Sequence, residues 1–255
     1  MFDKETESVW LQVGGRAIKG TMLGSRLTSA PVTNTTWKQW KKLNPKTLVM
    51  SPDTPYVRFY TPRGKNLERG TPNGFPAPYF RTSMVRGDKR LNPWEMTLGV
   101  IMPLEEKPSA PDGILKARYQ CYPFSELKKT TGVINDELEK KPIAIFFDAE
   151  NQTANAFLRQ IEGKTLTFEA KKNADGDMVY TDKETKTEWN LEGLGTAGTL
   201  KGKSLTRLDS HLSEWYGWVA YFPDTTIYGR SDPPEPLDLL LPETGTKPKG
   251  EEKKP

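Results

Sequence analysis

Short apolar or alternating runs bounded by glycine and proline dominate the chain, and helical spacing is rare, so the pattern predicts strands joined by tight turns. Pro142-Ile-Ala-Ile-Phe-Phe147 is the most apolar run and reads as a buried central strand. Thr97 to Met102, Ile114 to Tyr122, Ala154 to Arg159 and Thr165 to Ala170 read as further strands, with a turn at Glu162-Gly163-Lys164. Near the front, polar Asp3 to Ser8 lies between Met1-Phe2 and Val9-Trp10 and predicts a hairpin tip. Trp37, Trp40 and Leu43 fall at helical spacing, which predicts a short helix stopped before Pro45, where proline disfavours helical backbone in the residue ahead of it. Thr47 to Met50 is expected to close this unit as a strand.

The same pattern occurs twice. Asp3-Lys-Glu-Thr-Glu-Ser-Val-Trp10 returns as Asp182-Lys-Glu-Thr-Lys-Thr-Glu-Trp189, 179 positions later (182 minus 3). After a one-residue slip, Gly20, Gly24 and Leu27 match Gly198, Gly202 and Leu205, and Trp37, Trp40, Pro45 and Thr47 match Trp215, Trp218, Pro223 and Thr225, now 178 apart (215 minus 37). A long repeat sets the architecture. The expected fold is a β-rich α+β protein of two pseudo-symmetric repeat lobes, with short helices around the paired tryptophans. Residues 1–50 would be a partial first repeat, 51–97 an irregular connection rich in Pro, Gly, Arg and aromatics, and 98–228 the complete second repeat. Residues 229–255 form a tail, expected to be disordered from about 242, because its composition offers too little apolar surface to offset ordering. The second copy is preceded by a segment from about Ile114 to Tyr180 that belongs to the same unit, whereas the first copy begins near Met1, so the first lobe is expected to be incomplete.

Composition narrows the chemistry. The 255 residues are long enough for a sizeable core. The net charge is +4, from 37 basic and 33 acidic residues with the signs mixed, which does not point to a nucleic-acid surface. The aromatics and arginines of the connection, Tyr56 and Arg58 among them, read as packing and solvated groups rather than a base-stacking strip. No apolar run reaches the roughly 18 residues of a membrane span. With one cysteine, Cys121, and one histidine, His211, neither an internal disulfide nor a Cys/His metal cluster can form, and no cofactor is expected. Asp209-Ser210-His211 are consecutive and cannot converge as a triad.

The residues quoted above, with Asp88-Lys-Arg-Leu-Asn-Pro93 and Gly132-Val-Ile-Asn-Asp136, resemble the bacterial and archaeal family called domain of unknown function 3179, over nearly all of Phe2 to Tyr228. The resemblance implies an extracytoplasmic protein. Longer members carry a His-Glu-x-x-Asn-Asp stretch and a Cys-Pro-x-Cys element. Here the corresponding segments read Lys129-Thr-Thr-Gly-Val-Ile-Asn135 and Phe146-Phe147-Asp148-Ala149-Glu150, with neither His nor Cys.

Candidate positions are few. Asp3 with Glu5, and Asp182 with Glu184, offer paired carboxylates for a hard cation or, more simply, turn-stabilising side chains. Trp37, Trp40, Trp215 and Trp218 offer an aromatic platform or a repeated core. Asp136, Asp148 and Glu150 offer an acid/base pair or solvated loops. Cys121 reads as a small buried hydrophobe in a strand. These readings favour a non-catalytic binding or interaction module. The alternatives are a redox or metal-linked enzyme whose cysteine-bearing half lies upstream of Met1, and a glycan or small-molecule binder using the tryptophans.

Overall fold

A computed structural model describes residues 1–30, 32–51, 53, 55, 88–105 and 116–231. The aromatic and arginine-rich part of the connection and the tail expected to be disordered lie outside these residues.

The chain opens with an antiparallel meander of β1 (Phe2–Asp3), β2 (Ser8–Trp10) and β3 (Ala17–Lys19), followed by helix α1 (Trp37–Leu43). Next come β4 (Met96–Pro103), β5 (Ala117–Pro123), the one-turn helix α2 (Phe124–Leu127), and the meander β6 (Val133–Leu138), β7 (Lys141–Asp148) and β8 (Thr153–Leu158). The hairpin β9 (Gln160–Ile161) and β10 (Lys164–Thr165) leads to a four-stranded sheet of β11 (Phe168–Lys172), β12 (Met178–Asp182), β13 (Glu188–Trp189) and β14 (Gly195–Ala197). Then follow β15 (Asp209–Glu214), α3 (Trp215–Tyr221) and β16 (Thr226–Ile227). Strands β15, β4, β5 and β16 form one sheet in that order, antiparallel except where β16 runs parallel to β5.

The layers follow from strand alternation. Ile143, Ile145 and Phe147 of β7 face Leu98, Val100 and Met102 of β4 in one core cluster. Ala144 and Phe146, one residue out of phase, face Phe168, Tyr180 and Trp189 in a second, where the Phe146 and Tyr180 rings stack at 3.9 Å. β7 is therefore buried on both faces, which is why its sequence is continuously apolar. The other face of β5 carries Cys121 into a third cluster with Trp215, Trp218, Val219 and Phe222. On β4, Gly99 lies directly beneath the Trp218 ring, where a Cβ would come within 2.3 Å of it.

One expectation fails in detail, and one strand was not foreseen. Thr47 to Met50 does not form a strand, because no described strand lies alongside it, whereas its counterpart Thr226–Ile227 becomes β16 by pairing with β5. Asp209 to Glu214, polar in sequence, is a strand because all six residues pair with β4.

Candidate functional site

The acidic tips turn out to hold turns. Asp3 accepts the Glu5 N–H at 2.9 Å and the Thr6 hydroxyl at 2.5 Å, and Thr6 in turn reaches the Ser8 hydroxyl at 2.8 Å. These hydrogen bonds, that from Thr6 first, lower the Asp3 pKa from 3.8. Ser8 then accepts the N–H of Met22 at 3.0 Å. The second copy repeats the scheme: Asp182 accepts the Thr185 N–H at 2.5 Å and its hydroxyl at 2.8 Å, the Thr185 and Thr187 hydroxyls lie 2.8 Å apart, and Thr187 accepts the Leu200 N–H at 3.0 Å. Asp182 is fully buried and also accepts the Thr187 N–H at 3.1 Å and Trp189 Nε1–H at 2.9 Å. Four donors engage its carboxylate, the turn-stabilising arrangement. Glu184 accepts the Thr167 N–H at 2.7 Å, and Glu5 is exposed. The glycine of each copy is fixed by the same turn: a Cβ at Gly20 (φ 93°) would lie 2.5 Å from the Glu7 carbonyl oxygen, and one at Gly198 (φ 90°) 2.9 Å from that of Lys186.

The tryptophan helices match to the same degree. Trp40 Nε1–H donates to Thr47 Oγ1 at 2.9 Å, and Trp218 Nε1–H to Thr225 Oγ1 at 3.0 Å. The chain enters α1 at Thr36 with φ −69° and ψ 150°, and α3 at Glu214 with −66° and 147°. It leaves at Asn44 with −130° and 68°, and at Phe222 with −129° and 68°.

Their surroundings differ. Trp215 and Trp218 are buried under β4, β5 and Arg90, whose guanidinium lies over the Trp215 ring, pairs with Asp88 at 2.8 Å and donates to the Thr225 carbonyl at 2.9 Å. They are core residues and leave no platform for a ligand. Helix α1 buries none of its residues: Trp37 is 50% exposed, Trp40 41% and Leu43 56%, and the adjoining Leu48, Val49 and Met50 are 94%, 72% and 78% exposed. Its opposite side is seated by polar contacts, Thr36 on Asn151, Lys38 on Glu150 and Lys42 on Asp177. Just ahead of it, Arg207 donates to the Val32 carbonyl and the Thr33 hydroxyl and also binds Asn155 and Glu192. Among the described candidate positions, Trp37 and Trp40 form an exposed apolar face.

Other chemistry is absorbed by structure. Burial pushes the Cys121 thiol up to about 12, so it stays protonated at neutral pH. Asp136 accepts Tyr122 Oη–H at 2.7 Å and Gln120 Nε2–H at 3.0 Å, while Asp148 accepts the N–H groups of Glu150 and Asn151. Asp136 pairs with Ile143, five residues from Asp148 along β7, so the two carboxylates lie roughly 16 Å apart at the strand rise and cannot act as one pair. Glu150 is held by Lys172 and Lys38, which lower its pKa. His211 Nε2 sits 3.6 Å from Asp209, and the intervening Ser210 alternates to the other face of β15. No group of three or more His, Cys, Asp or Glu side chains is arranged for a metal among the described residues. A concavity of about 240 Å³ separates the first meander from the β4–β5 sheet, lined by Val13, Arg16, Arg26, Tyr119, Asp209 and Phe222 among others. No described helix is long and apolar enough to cross a membrane.

The family model described as "Protein of unknown function (DUF3179)" matches residues 1–225. No curated protein and no solved structure matches the chain.

Proposed function

The chain belongs to the DUF3179 family, and from that premise we propose that it is a non-catalytic interaction module that engages its partner through the face formed by Trp37, Trp40, Leu43 and Leu48 to Met50. The observation that carries this reading is the contrast between two local structures with matching cap backbone angles and indole hydrogen bonds, one covered and one bare. An exposed apolar patch centred on tryptophans is what protein interfaces use as anchors. Two repeat lobes are part of the same reading, supported by the recurrence of hydrogen bonds at the sequence offset.

Site-specific photo-crosslinking in the native host tests it. A crosslinker at position 43 is expected to give a discrete adduct that Trp37→Asp or Trp40→Asp removes, while one at exposed Lys171 gives none. Absence of a Trp40-dependent adduct from position 43 would count against the module.

A further inference from the structure

The first meander differs from its counterpart in the second copy at one bridge. Arg16 lies directly opposite Arg26, and at the repeat offset of 178 the matching bridge sets Leu194 opposite Ser204 (194 and 204 minus 178). Directly opposed residues send their side chains to one face, and like charges placed there repel, an arrangement the second copy avoids. In that copy both bridge residues are exposed, Leu194 at 40%, while Trp189, Leu200 and Leu205 carry the contacts with Phe146 and Phe157. In the first copy the two arginines line the concavity of about 240 Å³ that faces the β4–β5 sheet. On the sheet side, Tyr119 and Phe222 stack at 4.6 Å, and Ile101 and Val13 extend the apolar lining. Arg26 is near enough to Tyr119 that its charge opposes the rise that burial imposes on the phenol, so the guanidinium and the aromatic wall face one space. Asp209 also lines it, and two arginines against one aspartate leave one net positive charge.

We propose that this concavity binds a small aromatic carboxylate, with its carboxylate between Arg16 and Arg26 and its ring against Tyr119 and Phe222. A guanidinium presents paired N–H donors in a planar fork that matches the two oxygens of a carboxylate. Stacked and edge-on contacts with the two aromatic rings would hold the body of the ligand. A volume of about 240 Å³ lies below the roughly 300 Å³ at which pockets for drug-sized ligands begin, so the site takes a single-ring molecule and not a nucleotide. Asp209 repels a second negative charge, which favours a carboxylate over an aromatic phosphate. Both copies build the site, Arg16 and Arg26 from the first and Tyr119, Asp209 and Phe222 from the second, and none of its residues belongs to the Trp37 and Trp40 face.

The probe is phenylacetate, titrated into the isotope-labelled full chain and followed by amide NMR shifts. Saturable shifts are expected at Gly14, Arg16, Arg26 and Tyr119, with benzyl alcohol, benzylamine and phenyl phosphate each binding at least ten-fold more weakly. Arg16→Leu and Arg26→Ser install the residues that the second copy carries at the matching bridge. Each is expected to weaken phenylacetate at least ten-fold while the rest of the spectrum stays native. Should either variant lose the native spectrum, Ser29→Trp, which fills the concavity from an exposed position on its lining, is expected to abolish the shifts in its place. Trp40→Ala is expected to leave the phenylacetate affinity unchanged, so a failed crosslink from position 43 and a failed titration report on separate sites. The proposal is overturned by shifts that do not saturate, by benzyl alcohol binding as tightly as phenylacetate, or by affinity that survives both Arg16→Leu and Ser29→Trp.

Discussion

At the scale of single residues, the repeated Asp and Thr side chains act on the backbone. Asp182 satisfies four donors from full burial, so Asp182→Ala leaves them unpaired and is expected to destabilise the protein by about 3 kcal/mol or more, read from the denaturant midpoint. Asp3 plays the same part in a more open turn. Its folded pKa lies below its ordinary value, so its stabilisation is present above pH 3.8 and is lost as the pH falls through the folded value; a drop in the protection factor of the Glu5 amide, corrected for the intrinsic rate at each pH, would report it. Cys121 has the opposite sign. Its thiol is raised by burial, so its contribution is intact below 9.0 and is lost as the pH climbs toward about 12, in the same direction as buried Tyr122 and Tyr180. A thiol reagent at pH 8 should therefore leave the native protein unlabelled and label it once guanidinium unfolds the chain.

At the scale of elements, α1 and α3 share sequence spacing, cap backbone angles and indole hydrogen bonds, and differ in what lies over them. Trp218→Ala is expected to cost about 3 to 5 kcal/mol as a core truncation, and Trp40→Ala no more than about 1 kcal/mol, measured by thermal or chemical unfolding of the full chain. Gly99→Val should match the first of these by forcing β4 and α3 apart. The hairpin tips, α1 and the buried β7 could be read from local pattern, because turn chemistry, helical spacing and a continuous apolar run are local signals. The burial of Trp215 and the exposure of Trp37 could not, since both sit in the same local pattern and the deciding strands are distant in sequence. Strand β15 was hidden for a similar reason: Asp209-Ser-His-Leu-Ser-Glu214 has weak strand character and acquires it by pairing with β4. Thr47 to Met50 shows the converse, strand-like residues with no described strand beside them.

For the molecule as a whole, core clusters on both faces of β7 and on both faces of the β4–β5 sheet tie the second copy together. The first copy's helix is attached differently. Lys42 meets Asp177 at 2.6 Å and Lys38 meets Glu150 at 3.4 Å, both at the surface, while Arg207 holds the segment just before the helix. Surface ion pairs contribute little and are screened within a few ångströms in concentrated salt. Raising sodium chloride to about 1 M, where the screening length falls to roughly 3 Å, should accelerate exchange at residues 36–44 and leave β7 unchanged. Arg207→Ala should add to that effect without unfolding the layered core. The helix that bears Trp37 and Trp40 is in this sense moored to the body and not cemented to it. Two of its moorings are ion pairs, so a saltier medium would loosen the helix that presents the tryptophans while leaving its neutral bond from Thr36 to Asn151 in place.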